Sequence, residues 1–201
     1  MTIYTPQALL FDLDGVLINS LDSWWHALND AFKHYNHPPI TKDTFFKQYW
    51  GHDLRNILPT QNLDLGIATF CSKIYHNYLY TITIFDDTIT TLEKLNKIPK
   101  ALITNTPSTC AYPILQHFNL THFFQSIVCS DNVTKAKPDP ALIFKACNQL
   151  KISPQNTVMI GDTKSDIYAA HAAGCPIIGK NIQGNSKITK LSEILTLIKI
   201  S

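Results

Sequence analysis

Asp12 and Asp14 stand directly after a short apolar run and are the residues whose type and spacing best suit chemistry. The run from Ala8 to Phe11 is apolar on both faces, which predicts a buried strand, and Gly15 lets the chain turn away after it. Two ionised carboxylates this close repel each other unless a cation lies between them or one is protonated. Because this repulsion would destabilise the fold if the pair had only a structural role, the pair predicts a metal-assisted nucleophilic site.

Polar residues also follow three later apolar runs that predict strands. They are Thr104 and Asn105, then Lys137 in a Lys-Pro-Asp-Pro stretch, then Asp162 and Asp166. Ligands of parallel sheets bind beyond the carboxyl ends of the strands. Carboxylates suit Mg²⁺, while hydroxyl, amide and ammonium groups suit phosphate oxygens. The set therefore predicts a phosphate monoester held against a magnesium ion.

Each of these residues also has an ordinary structural interpretation. The stretch from Gly161 to Asp166 is compatible with simple N-capping of a helix, a contribution of about 1 kcal/mol. Thr104 alone is compatible with a β-branched strand residue, and Lys137 alone with a solvated surface lysine. The paired aspartates fit a purely structural role least well.

After the first apolar run, 8–11, the same kind of pattern resumes at residue 85, where short apolar runs alternate with helical patterns. The predicted strands are 8–11, 100–104, 126–130, 157–160 and 176–178. The predicted helices are 88–95, 107–118, 140–150, 165–173 and 188–198. This alternation is typical of βαβ units and predicts an α/β fold, a Rossmann-like parallel sheet with helices on both faces.

Residues 18–84 have a different pattern, since their apolar residues recur at helical spacing and the segment holds all three tryptophans. We predict an all-helical cap domain there, inserted into a core domain of residues 1–17 and 85–201. Ser20 is the expected N-cap of its first helix.

Composition excludes several function classes. The chain has 201 residues, 45% hydrophobic and 16% charged, with a net charge of +2, so neither nucleic acid nor a membrane is an expected partner. The start of the chain has no secretory signal pattern. Five widely spaced cysteines without a Cys-x-x-Cys pair predict buried free thiols and a cytoplasmic location. The sequence leaves monomer and homodimer open.

In the order of its motifs, the chain resembles the haloacid dehalogenase superfamily, specifically its phosphoglycolate phosphatase-like members with a helical cap. The first motif is matched by Asp12-Leu13-Asp14-Gly15-Val16-Leu17, and the later ones by Thr104, by Lys137 and by Gly161-Asp162 with Asp166. The resemblance covers nearly the whole chain.

The resemblance implies a role for each matched residue. Asp12 would be the nucleophile that forms an aspartyl-phosphate, and Asp14 the general acid and base. Thr104 and the main-chain amide of Asn105 would bind phosphate oxygens. Lys137 would hold phosphate and nucleophile together.

The resemblance also implies Mg²⁺ as the cofactor. Its ligands would be Asp12, Asp162 and the main-chain carbonyl of Asp14. Asp166 would support the site from behind or bind the ion through water. The substrate would be a small phosphorylated metabolite. Phosphoglycolate, pyrophosphate, a nucleotide and a sugar phosphate all remain open.

Substrate choice is expected to begin at Ser20, Trp24 and Arg55. Arg55 could bind a carboxylate or second anionic group of the substrate, although a surface role fits its sequence context equally well. Phosphomutases of the β-phosphoglucomutase type carry a histidine where this chain has Trp24, which favours a phosphatase over that alternative. A non-catalytic phospho-receiver module is a further alternative, but the helical insert and the Gly161-Asp162 motif do not fit it.

Overall fold

The computed structural model describes residues 3–199, which form a parallel sheet with helices on both faces. The strands are β1 (Ala8–Phe11), β2 (Ile18–Asn19), β3 (Thr83–Ile84), β4 (Lys100–Thr104), β5 (Ser126–Cys129), β6 (Thr157–Gly161), β7 (Ile177–Lys180) and β8 (Ser186–Ile188). The α-helices are α1 (Leu21–His34), α2 (Lys42–Gln48), α3 (Leu54–Thr60), α4 (Gly66–Ile74), α5 (Thr88–Lys94), α6 (Ser108–His117), α7 (Ala141–Leu150) and α8 (Lys164–Ala173).

The main sheet has six parallel strands in the order β5-β4-β1-β6-β7-β8. Strand β1 lies in the middle, where Leu10 is opposite Ala101 of β4 and Met159 of β6. Every residue of β1 is buried, as expected for an apolar strand covered on both faces. The predicted α/β class with a parallel sheet is confirmed.

Side chains of β1 alternate between two apolar clusters, one on each face of the sheet. Leu10 packs with buried residues of α7 and α8. Leu9 and Phe11 pack into the cluster that includes α5, α6 and the helical insert. The period of two along a strand produces this alternation, so the core is continuous with the insert on one face only.

The segment between β1 and α5 contains α1 to α4 and a 3₁₀-helix at Tyr75–Thr81, with α1 packed against α4. Its two ends differ from the all-helical prediction, because β2 and β3 pair there as a short antiparallel ribbon. The insert begins at β2 and ends at β3, so the two strands lie side by side and pair each other's backbone N–H and C=O groups. The division into a core of 1–17 and 85–201 and a cap of 18–84 stays a prediction, and residues 1–2 and 200–201 lie outside the described residues.

The predicted final helix over 188–198 is wrong. Residues Ser186–Ile188 instead form β8 beside β7, and a 3₁₀-helix follows at Leu191–Thr196. The buried residues of this 3₁₀-helix are Leu191 and Ile194, three positions apart, as expected for its three-residue repeat. No helix among the described residues is long and apolar enough to cross a membrane.

The central position of β1 leads to a stability prediction. Leu10→Ala should lower the free energy of unfolding by about 2–5 kcal/mol, because it leaves a cavity in the middle of the sheet. Tyr168→Ala is a suitable control, since Tyr168 is 58% exposed and its loss should change stability by less than about 0.5 kcal/mol. Urea denaturation followed by circular dichroism measures both values, and equal effects would contradict the described packing.

Candidate active site

The polar strand ends meet at the carboxyl edge of the sheet because β4, β1 and β6 are neighbours. Asp12 follows β1, Thr104 closes β4, and Asp162 follows β6. The sequence prediction that these three residues share one edge is what the topology shows. Lys137 and Asp166 reach the same place from a loop and from the first turn of α8.

Lys137 is the centre of a buried ionic network. Its ammonium lies 2.8 Å from Asp12 Oδ1 and 2.7 Å from Asp166 Oδ1, and it donates a further hydrogen bond of 3.2 Å to the carbonyl of Ile103. The lysine side chain is only 2% exposed. A buried ammonium needs such partners, so Lys137 is not the solvated surface lysine that the sequence alone also allowed.

Asp166 serves two purposes in this structure. Its Oδ2 accepts hydrogen bonds from the amide of Thr163 at 2.9 Å and from the Thr163 hydroxyl at 2.7 Å, which caps α8. Its Oδ1 is bound to Lys137. The simple capping interpretation is therefore correct for one oxygen, while the other belongs to the network.

Three carboxylates share this edge. Asp12, Asp162 and Asp166 each offer an oxygen, and these oxygens lie within 4.8 Å of one another. Burial raises the pKa of Asp12, and the neighbouring Asp166 and Asp162 raise it further, although Lys137 lowers it. For Lys137, the two carboxylates Asp12 and Asp166 overcome the effect of burial and raise its pKa. One ammonium does not balance three carboxylates.

Asp162 has features that fit a divalent cation. Its Oδ1 is shielded from solvent and has no hydrogen-bond partner among the described residues. Burial, and next the charge of Asp166, raise the pKa of Asp162 to about 8. Gly15, at φ +78°, packs so close that a Cβ there would lie 2.0 Å from Asp162 Oδ2. An orphaned carboxylate oxygen in an acidic cluster is the donor set that Mg²⁺ takes.

Asp14 is not one of these three carboxylates, and its side chain accepts hydrogen bonds from hydroxyl and indole groups. Its Oδ1 accepts hydrogen bonds from the Ser20 hydroxyl and, at 3.2 Å, from Trp24 Nε1. Its Oδ2 accepts from the hydroxyls of Thr106 at 2.7 Å and Thr104 at 3.4 Å. Ser20 stands before α1 as expected, but its side chain does not cap the helix, because its hydroxyl is bound to Asp14.

Asn105 connects three segments. Its side-chain amide donates to the carbonyl of Gly51 at 3.0 Å and to the carbonyl of Lys137 at 2.8 Å. Trp50, beside Gly51, donates its indole N–H to Asp162 Oδ2 at 3.3 Å. The helical insert thus contacts the acidic edge directly. The predicted phosphate contact of the Asn105 main-chain amide stays a prediction.

A cavity of about 210 Å³ lies between the acidic edge and the insert. Asp12, Asp14 and Thr104 line it from the sheet, and Trp24 and Arg55 line it from the insert. All the residues predicted to choose the substrate therefore lie at or next to this cavity, since Ser20 touches Asp14.

Several site residues were missed by the sequence analysis. Thr106 binds Asp14, and its signal was its place two residues after Thr104. Lys180 also had a signal, because it is a polar residue at the end of a strand, β7. Its ammonium donates to the carbonyl of Gly15 at 2.8 Å. The contact of Trp50 with Asp162 had no local signal, because the two residues meet only through the fold of the insert.

Comparison with protein families gives a match over residues 9–180 to the model described as haloacid dehalogenase-like hydrolase. The chain is similar to the phosphoglycolate phosphatase of Pasteurella multocida strain Pm70, with 28% identity over an alignment 187 positions long that covers 84% of this chain and 83% of that protein.

Solved structures show the same fold. One is a predicted phosphoglycolate phosphatase from Haemophilus somnus 129pt, with a TM-score of 0.78, 24% identity and 98% of each chain covered. Another is CbbY from Rhodobacter sphaeroides, a mutant in complex with xylulose-1,5-bisphosphate. It has a TM-score of 0.84 and 16% identity, and covers 97% of this chain and 100% of its own.

The raised pKa of Asp162 predicts how stability depends on pH when no divalent cation is present. An unfolded aspartate has a pKa of about 3.9, so between about pH 4 and pH 8 the folded state binds more protons than the unfolded state. Stability should therefore fall as pH rises through this range. Urea unfolding in EDTA at pH 5 and pH 8 measures the fall, which should be smaller in Asp162→Asn.

The exposed Asp86 provides the control for this experiment, since Asp86→Asn should show the same pH dependence as the wild type. Mg²⁺ should stabilise the wild type more at pH 8 than at pH 5, because the cation competes with protons for the carboxylates. If the stability of Asp162→Asn depended on pH as steeply as that of the wild type, the Asp162 carboxyl group would not be the source of the pH dependence.

Proposed function

Because this chain belongs to the haloacid dehalogenase-like hydrolase family and is a phosphatase, we propose that it hydrolyses a small phosphate monoester through an aspartyl-phosphate on Asp12. The observation that carries the proposal is the position of Asp12. Its carboxylate lies against the Lys137 ammonium, beside two further carboxylates and at the wall of the cavity. The alternative of a non-catalytic receiver module does not hold for a phosphatase.

In the first step, the Asp12 carboxylate attacks phosphorus and the bond to the leaving oxygen breaks. Asp14 donates a proton to that oxygen, which leaves as an alcohol. In the second step, Asp14 takes a proton from a water molecule, which attacks phosphorus and releases phosphate and the Asp12 carboxylate. The hydrogen bonds of Thr106 and Trp24 to Asp14 support this role, because they fix its side chain at the cavity.

Mg²⁺ is the proposed cofactor, held by Asp12, Asp162 and the main-chain carbonyl of Asp14. When bound, the ion offsets the negative charge of phosphate and carboxylates, so that one anion can approach another. Asp166 stands behind this set, since one of its oxygens caps α8 and the other holds Lys137.

Phosphate oxygens are proposed to bind the Thr104 hydroxyl, the main-chain amide of Asn105 and the ammonium of Lys137. Lys137 already lies 2.8 Å from the nucleophile, so its charge is in place where negative charge develops. The contacts of Trp50 and Gly51 with the sheet edge support a cap that excludes water during attack.

The substrate is proposed to be a small phosphorylated metabolite, and the relatives' names bring phosphoglycolate and a sugar bisphosphate into consideration. A phosphomutase is less well supported, because the side chain of Trp24 offers only an N–H donor and that donor is bound to Asp14. A cytoplasmic location is supported by the five cysteines, which are all free and buried as predicted.

The role of Asp12 is tested by phosphate release from p-nitrophenyl phosphate and a panel of metabolites. Asp12→Asn should lower kcat by a factor of about 10³ or more, because an amide is a poor nucleophile. The variant should remain folded, since an Asn oxygen still accepts the hydrogen bond of Lys137. Asp14→Asn should lower kcat by a factor of about 10²–10⁴.

Asp86→Asn is the matched control for this series and should keep full activity, since that carboxylate is exposed and lies outside the cavity wall. Wild-type activity in Asp12→Asn, or no phosphate release by the wild type with Mg²⁺ on any substrate of the panel, would disprove the proposed mechanism.

A further inference from the structure

The only arginine of the chain, Arg55, lies in the cavity wall but is already bound to protein groups. Its Nε donates to both oxygens of Asp53, at 3.1 and 3.0 Å, and its Nη2 donates to Asp53 Oδ2 at 2.5 Å. Nη2 also donates to the carbonyl of Ser130 at 2.8 Å. The Nε–Nη2 edge of the guanidinium is thus occupied by Asp53, whose side chain is 4% exposed.

A second acid lies beside this pair. Asp131 also lines the cavity, and its charge acts on Arg55. Burial opposes its ionisation, but hydrogen bonds from the hydroxyl and amide of Ser108 outweigh this and lower the pKa of Asp131. Arg55 therefore faces two carboxylates with one positive charge, and the local balance is negative.

No other cation compensates for this balance. Among the described residues, the cavity wall holds no lysine and no second arginine. Burial lowers the pKa of His52, so its ring is neutral at pH 8. Lys137 stands behind Asp12, at the phosphate end of the cavity.

The remaining wall is mostly apolar. Its large side chains are those of Trp24, Phe45, Tyr49, Trp50, Leu54 and Pro107. The ring planes of Phe45 and Tyr49 are nearly parallel, and Trp50 meets Phe45 edge to face. Aromatic walls suit flat apolar groups, and a cavity of about 210 Å³ limits the guest to a small one.

Resting on the proposed phosphatase function, we infer that the substrate is the phosphate monoester of a small, uncharged, largely apolar alcohol, such as one bearing a single ring. A second anionic group on the substrate would lie near the carboxylates of Asp53 and Asp131, where the only cation of the described cavity wall, Arg55, is already paired. It would lose its bound water and gain no ion pair in exchange. Asp53 and Asp131 thus select against phosphoglycolate and bisphosphates. Asp53 acts by occupying Arg55, so it is a specificity-determining residue.

The test uses two substrates of equal size that differ only in charge, 4-carbamoylbenzyl phosphate and 4-carboxybenzyl phosphate. With Mg²⁺ at pH 8, kcat/KM should be at least about tenfold higher for the neutral amide than for the carboxylate. The smaller pair of phosphoglycolate and its carboxamide should show the same order. A preference for either carboxylate in the wild type would overturn the inference.

Two variants locate the cause. Asp53→Asn keeps the oxygen that accepts from the amide of Arg55 but removes the charge that neutralises the guanidinium, so the preference for the neutral substrate should shrink severalfold. Arg55→Ala should leave the preference unchanged or increase it. Selective loss of the carboxylate substrate in Arg55→Ala would instead assign the arginine to substrate binding and overturn the inference.

A binding measurement tests the inferred substrate class independently of whether the protein hydrolyses the phosphate. The same two phosphates are titrated by calorimetry into Asp12→Asn with Mg²⁺. If the wild type releases no phosphate from any substrate but this variant still binds the amide about tenfold more tightly, the hydrolysis proposal fails and the ligand class stands. Equal binding of both compounds, or of neither, overturns the inference.

Discussion

The uncompensated charge around Lys137 is the constraint on which the site depends. Three carboxylates, those of Asp12, Asp162 and Asp166, share the edge of the sheet with one buried ammonium. Two negative charges remain, and the low dielectric of a buried site makes them expensive unless protons or a cation are bound. The fold tolerates this cost because the adjacent apolar strands β4, β1 and β6 hold the acids in place. Such a set of carboxylates suits a divalent cation.

The two aspartates of the first motif have different environments although they are only two residues apart. Asp12 faces inwards to Lys137, where burial and like charges act on it. Asp14 faces the cavity and is bound by four hydroxyl and indole donors from the sheet and the insert. Gly15 follows the pair, and its close approach to Asp162 allows no larger residue there. Two carboxylates of one short motif can therefore carry two different tasks.

The sequence predicted most of the acidic edge because its signals are local. Apolar runs such as 8–11 and 157–160 end in polar residues, and the parallel topology alone brings these ends together. The contacts of Trp50 with Asp162 and of Arg55 with Ser130 could not be assigned in this way, because the partners lie in other segments and depend on how the insert folds back. The β8 strand was missed because three residues, Ser-Lys-Ile, give too short a pattern. The apolar residues near the end of the chain were interpreted as an α-helix, since the 3.0 and 3.6 periods of the two helix types differ little over so few residues.

The central place of β1 also determines when the enzyme can exist during synthesis. Strand β1, which leads into Asp12, is made before its neighbours, which begin at residues 100 and 157. A nascent chain must therefore keep an apolar segment unpaired until the later strands leave the ribosome, while α1 and α4 of the insert already have each other to pack against. Because the pairing of β1 with β4 and β6 is non-local, we expect it to be a slow and aggregation-prone stage of folding. Catalytic competence thus arrives late and all at once.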